Sequence, residues 1–160
     1  RAWAIVEKKE PDWTLAIYGD GDHSSYEKLR DDLGIDASRC QLHGATSNIQ
    51  EEYRASSIYV LTSRFEGLRM AMLEAISCGL PLVAFACPCG PRDVVEDGVN
   101  GYLVDNGNVE KMAERLVAVM QSPEKLRQMG KAAQEKSKQY QMEYLAPKWK
   151  QLFESLSNTR

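Results

Sequence analysis

Residues 57–85 read Ser57-Ile58-Tyr59-Val60-Leu61, then Thr62-Ser63-Arg64-Phe65-Glu66-Gly67, then Leu68-Arg69-Met70-Ala71-Met72-Leu73-Glu74-Ala75-Ile76-Ser77-Cys78, then Gly79-Leu80 and Pro81-Leu82-Val83-Ala84-Phe85. A short apolar run leads through a polar turn into a helical pattern, a glycine stop and a second apolar run. Both runs are too short for helices and do not alternate, as expected of strands buried on both faces of a parallel sheet. Gly79 suits the left-handed stop of the helix. Pro81 stands at a strand's first position, where no ladder donor is lost. The stretch is therefore a strand–helix–strand unit, and its glycine-rich turn lies at the carboxyl end of a strand.

The same alternation extends outward in both directions. Thr14–Tyr18 reads as a strand stopped by Gly19-Asp20-Gly21, and Ser24 with Glu27 has capping-box spacing for a helix to Leu33. Arg39–His43 reads as a strand ending at Gly44, and Ser47 with Gln50 offers a second capping box for a helix to Ala55. Gly90-Pro91 opens a short helix, and Gly101–Val104 is a last short strand. Val109, Met112, Ala113, Leu116, Val117 and Met120 then form one helical stripe. Ser122-Pro123-Glu124 starts a further helix to Gln139, charged enough to be expected in solvent. Leu145, Trp149, Leu152, Phe153 and Leu156 make another stripe, with Pro147 near its start. Strands alternating with helices predict an α/β fold, a Rossmann-like parallel sheet with flanking helices that binds ligands at the carboxyl ends of its strands.

Composition narrows the function. The chain has 160 residues, 43% hydrophobic and 27% charged, enough for one packed domain. Lys+Arg is 20 against Asp+Glu 23, a formal charge of −3, which argues against binding nucleic acid by phosphate neutralisation. No apolar run approaches the roughly 18 residues of a membrane span. The cysteines Cys40, Cys78, Cys87 and Cys89 are too few for a disulfide scaffold. Cys87-Pro88-Cys89 lacks zinc-finger spacing, so no metal is expected and a reducing, cytoplasmic compartment is.

Three constellations could carry chemistry. Gly19-Asp20-Gly21 follows a strand, but Ser24 stands where a dinucleotide fingerprint has its third glycine, so it reads equally as a tight turn, and a dinucleotide oxidoreductase is disfavoured. In the turn after Leu61, backbone N–H groups and the positive helix end suit an anion such as a diphosphate. Glu66 in that turn would repel a diphosphate but could accept hydrogen bonds from sugar hydroxyls. Glu74, about one and a half turns into the helix, could reach a second hydroxylated group such as a ribose. The bland alternative is an acid near a helix start and a solvated Glu. The third is Gly90-Pro91-Arg92-Asp93 with Asp97-Gly98-Val99-Asn100-Gly101, which reads as a ligand approach or as a short helix and turn. His43 before Gly44 is either near a ligand or bonded to backbone. No nucleophile triad is arranged.

Together these segments resemble the nucleotide-sugar-binding half of the family 4 retaining glycosyltransferases, the glycosyl transferases group 1. The likeness rests on the stretch from Ile58 to Gly101, with Glu66 and Glu74 fitting a Glu-x7-Glu motif, and on Gly19-x-Gly21, Leu42-His43-Gly44 and the helical end. It implies the C-terminal half of a two-Rossmann-domain, B-type enzyme that moves a sugar from a nucleotide-diphosphate donor to a hydroxyl acceptor, with a polysaccharide or lipid-linked glycan as product. Glu66 then looks like the catalytic carboxylate against the donor sugar, and Gly67, Leu68, Arg69 and Met70 like the turn along sugar and diphosphate. Glu74 looks like the ribose ligand, and His43 and Gly44 like main-chain contacts to the base. Gly19, Gly21 and Ser63 would line the same cleft. Many relatives have a small residue or Pro where Arg69 stands.

The resemblance further implies no required cofactor or metal, a nucleotide sugar as the partner molecule, no nucleic acid, and peripheral association of the full enzyme with the inner membrane face. Residues 1–160 would form the donor-binding domain without its first strand, which would lie between the strands at Thr14–Tyr18 and Ser57–Leu61. The acceptor-binding N-terminal domain and the family's Gly-Arg turn and Lys are absent from this sequence, so the isolated chain is expected to be inactive. The helix over 141–157 would pack toward that N-terminal domain. The competing expectation is a non-catalytic Rossmann-like binding or interaction module.

Overall fold

The computed structural model describes residues 1–67 and 70–157. Elements follow in the order α1 (Ala2–Val6), β1 (Leu15–Tyr18), α2 (Ser24–Asp32), β2 (Cys40–His43), α3 (Ile49–Ala55), β3 (Tyr59–Leu61), α4 (Met70–Ser77), β4 (Leu82–Phe85), α5 (Pro91–Val94), β5 (Gly101–Val104), α6 (Val109–Met120), α7 (Pro123–Ser137) and α8 (Met142–Ser157). This is the α/β alternation expected from the sequence, and every strand pair is parallel.

The strands form two sheets, β1–β2 and β3–β4–β5. Central β4 is buried at every position because both its edges are paired and both its faces covered. Register pairs Tyr18 with His43 at the carboxyl ends of β1 and β2, and Leu61 with Ala84 at the end of β3. Among the described residues no ladder joins β1 to β3. Leu15 and Gly19 donate their N–H groups to β2 and its flank. By alternation, the N–H groups of Ala16 and Tyr18 point to the other edge, and Val60 does the same on β3.

One apolar core spans both sheets. Trp3 and Val6 of α1 pack with Met112, Leu116 and Val119 of α6, Val83 and Phe85 of β4, and Ile35 and Cys40 beside β2. Arg39 fastens this corner. Its guanidinium donates to the carbonyls of Glu7 at 3.0 Å, Glu10 at 2.6 Å and Trp13 at 2.9 Å, and lies 5.9 Å from the Trp3 ring centre. A second cluster, Tyr53, Met72, Ile76, Leu82, Val94 and Ala133, fills the other face of the larger sheet.

Three local expectations change. The Ser24 capping box is not formed: the Asp22 carboxylate accepts both the Ser24 N–H and its hydroxyl, at 2.9 and 2.8 Å, and α2 begins after His23 without a side-chain cap. The Ser47 box is not formed either, because α3 starts one turn position later, after Asn48. Asn108 and Ser122 do cap α6 and α7 through the N–H groups of Lys111 and Lys125. Helix α7 is not simply solvated: it buries Met129, Gly130 and Ala133. There Gly130 meets Gly79, and a Cβ on Gly130 would stand 2.6 Å from the Gly79 carbonyl oxygen. Small residues carry this contact and give almost no hydropathy signal. Helix α8 contains Pro147 and keeps its stripe in solvent, with Trp149 and Phe153 stacked at 5.9 Å and both more than half exposed. No described helix is long and apolar enough to cross a membrane.

Candidate functional site

The carboxyl ends of β1, β2, β3 and β4 carry the residues singled out above. On the side of the small sheet, the Gly19 N–H donates to the His43 carbonyl at 3.1 Å, and the Gly19 carbonyl lies 3.1 Å from His23 Nε2. Gly21 holds a φ of +107° that side chains rarely adopt, its N–H bound to Asp20 Oδ1 at 2.9 Å. The Gly19-x-Gly21 loop is thus built by local Asp and glycine conformation and is solvent-exposed. His43 ends β2, and its ring stacks on the Tyr18 ring at 4.7 Å with 15° between planes. Gly44 follows, exposed, with nothing within 4 Å of where a Cβ would be.

On the side of the large sheet, Ser63 and Glu66 are half-buried in the turn that leaves β3, and Gly67 is exposed. Met70 opens the described part of α4 and is 56% exposed. Leu68 and Arg69 lie outside the described residues. The Arg64 carbonyl accepts from Asn106 Nδ2 at 3.4 Å, which tethers the turn to the β5–α6 loop. Glu74 is half-buried on α4.

The two acids meet around a tyrosine pair. Tyr53 of α3 and Tyr59 of β3 pack edge to face at 5.9 Å. The Tyr59 hydroxyl is pushed up, first by burial and then by the negative charges of Glu66 and Glu74. Burial also raises Tyr53, followed by the charges of Tyr59 and Glu74 and a hydrogen bond to Glu74. Glu66 raises the Cys87 thiol as well, after burial, so the β4–α5 loop closes on the same spot. Glu66 and Glu74, from a turn and a helix, thus both lie near enough for their charges to act on the Tyr59 hydroxyl. Chemically this is a half-buried, acid-rich edge beside a glycine turn, suited to accepting hydrogen bonds from hydroxyl groups. No set of three His, Cys, Asp or Glu side chains among the described residues has metal-binding spacing.

Sequence reading passed over Tyr18, Glu52, Tyr53 and Tyr59. Tyr18 and Tyr59 were legible only as strand residues, although Tyr18 sits immediately before the Gly19 turn. Glu52 and Tyr53 sat in an unremarkable helix. The segment 97–101 resolves to the bland alternative. Buried Asn100 donates to the Val94 carbonyl at 2.9 Å and accepts from the Glu96 N–H at 2.8 Å, while Asp97 accepts from the Leu103 N–H at 2.9 Å. These bonds hold the entrance to β5.

A parallel α/β domain that collects two carboxylates and a Tyr–His stack at the carboxyl edge of its strands is a Rossmann-like ligand-binding domain. The chain belongs to the glycosyl transferases group 1, whose family profile matches residues 1–136. It is 35% identical over 151 residues to an uncharacterized glycosyltransferase of Haemophilus influenzae, a match covering 94% of this chain and 42% of that protein. It is 31% identical over 153 residues to the poly(ribitol-phosphate) alpha-N-acetylglucosaminyltransferase of Staphylococcus aureus, covering 94% of this chain and 31% of that one. A crystal structure of an S. aureus TarM mutant with fondaparinux, alpha-GlcNAc-glycerol and UDP superposes with a TM-score of 0.85 at 30% identity, covering 95% of this chain and 31% of TarM. The chain thus spans less than half the length of these relatives. Their fold is the B-type glycosyltransferase fold, and this chain corresponds to its C-terminal part.

Proposed function

We propose that this chain is the nucleotide-sugar-binding domain of a retaining glycosyltransferase that transfers a sugar from a nucleoside-diphosphate donor to a hydroxyl of a growing polysaccharide or lipid-linked glycan. The observation that carries the reading is a pair of half-buried carboxylates, Glu66 in the turn that leaves β3 and Glu74 on α4, whose charges both act on the Tyr59 hydroxyl. In this reading Glu66 accepts hydrogen bonds from donor-sugar hydroxyls and Glu74 from the ribose. The His43–Gly44 main chain meets the base, and Gly19, Gly21 and Ser63 border the cleft. N–H groups of the turn at Gly67, with Leu68, Arg69 and Met70, face the diphosphate and stabilise its charge as the glycosidic bond breaks. The donor itself is the activated group, so the reading requires no further cofactor or metal. UDP in the TarM crystal supports the class of donor. The four free cysteines support a cytoplasmic site of action.

Two structural features extend the reading to the whole enzyme. The unpaired edges of β1 and β3 would take up one further strand from outside residues 1–160. The exposed Trp149, Leu152, Phe153 and Leu156 face of α8 would pack against the acceptor-binding domain.

The test is calorimetric titration of the full-length protein with UDP, GDP and ADP and their sugars, followed by turnover of Glu66→Ala and Glu74→Ala. Loss of turnover by a factor of about a hundred or more is expected for Glu66→Ala. A weakened donor KM is expected for Glu74→Ala. Unchanged turnover in both variants would remove the site assignment.

A further inference from the structure

Helix α3 touches both halves of the site. Glu52 and Tyr53 are consecutive on it, so their side chains leave the axis about 100° apart. Glu52 reaches toward the small sheet, where its Oε2 accepts the Tyr18 hydroxyl at 2.5 Å. A bond that short to a carboxylate is charge-assisted and directional. Tyr18 in turn pairs in register with His43 and lies flat against its ring. Tyr53 points the other way. It is buried, packs edge to face on Tyr59, and shares a core cluster with Met72, Ala75 and Ile76 of α4, the helix that carries Glu74. Among the described residues no ladder joins the two sheets directly. At the carboxyl edge, α3 supplies a side-chain link in its place.

We propose that Tyr18 is a positioning residue: held by Glu52, its hydroxyl fixes the His43–Gly44 turn relative to Glu74 and so sets the fit of the base of a nucleoside-diphosphate donor. The inference rests on the donor reading given above. Tyr18 touches His43 and Glu52, and it acts through them. Losing the hydroxyl leaves the ring stack in place and frees the turn to shift against the ribose carboxylate. The penalty then falls on discrimination between bases, while the sugar end of the donor is unaffected.

The experiment uses the full-length protein and calorimetry with UDP, GDP and ADP as the actual probes. Wild type is expected to prefer one of the three. In Tyr18→Phe the preferred nucleotide should bind about tenfold more weakly, the low end for one lost hydrogen bond to a charged group. The ratio between preferred and other bases should narrow, and the donor KM should rise in step with the Kd of the preferred nucleotide. Glu52→Gln keeps an acceptor and should recover part of the preference, and the double variant should be no worse than Tyr18→Phe. Equal Kd values and base ratios in Tyr18→Phe and wild type would overturn the inference and leave the donor reading standing. A loss spread evenly over all three bases would also overturn it, as a purely structural clamp predicts. Wild type that binds none of the nucleotides would overturn the donor reading and the inference with it.

Discussion

Gly101 lies so close over Leu82 that a Cβ added at position 101 would stand 2.0 Å from the Leu82 carbonyl oxygen and 2.9 Å from its nitrogen. The two residues are register partners at the start of the β4–β5 ladder, and Leu82 is fully buried. Backbone cannot yield as a flexible side chain would. Gly101→Ala is therefore expected to push β5 off its register and to cost about 2–3 kcal/mol, the upper range of core overpacking. Urea unfolding should show a lower midpoint with an unchanged m-value. A midpoint within error of wild type would mean that β5 relaxes without loss.

The edges of β1 and β3 that carry no ladder among the described residues make a second expectation. In residues 1–160 alone, the amides of Ala16, Tyr18 and Val60 point away from their paired neighbours and should exchange with deuterium as fast as loop amides. Those of Val83 and Phe85, on the doubly paired β4, should be the slowest. In the full-length enzyme a strand between the edges would move Ala16, Tyr18 and Val60 into the slow class. Fast exchange at these amides in both forms would refute the inserted strand.

How much of this was legible beforehand follows the physics of each element. The strands were readable because continuous apolar runs such as Leu82–Phe85 have few other uses, and the helix stop at Gly79 and helix start at Gly90 because their φ values of +80° and +110° suit glycine. The helix at Ser24 begins where expected, but the capping-box spacings at Ser24 and Ser47 misled, since Asp22 takes the Ser24 N–H group in one case and α3 starts after Asn48 in the other. The buried face of α7 was hidden because Gly130 and Ala133 pack by lacking side chain. Within the site, Glu66 and Glu74 could be nominated from spacing, but their convergence on Tyr59 could not. That depends on how the turn folds α4 back against β3, which the spacing of the two acids does not specify. Likewise, nothing in the string Gly19 to Gly44 announces the Tyr18–His43 stack, which exists only once β1 and β2 are in register.

The tyrosines also set a pH dependence whose sign can be worked out. Tyr53 and Tyr59 are raised chiefly by burial and then by neighbouring negative charge, and Tyr18 chiefly by its hydrogen bond to Glu52. Burial raises the thiols of Cys40 and Cys87 in the same way. Each group holds its proton more tightly folded than unfolded. Its contribution to stability is therefore complete below the unfolded value, about 8.5 for a thiol and about 10 for a phenol, and is lost as pH rises from there through the folded value. The urea midpoint should be level between about pH 7 and pH 8, begin to fall near pH 9 and fall more steeply above pH 10. Tyr53→Phe removes one of the titrating groups, so its midpoint should fall less steeply than that of wild type above pH 10, whatever its stability at pH 7. Parallel curves for the two proteins from pH 9 to 11 would show that Tyr53 does not keep its proton against Glu74 and the partly buried ring of Tyr59 in the way described.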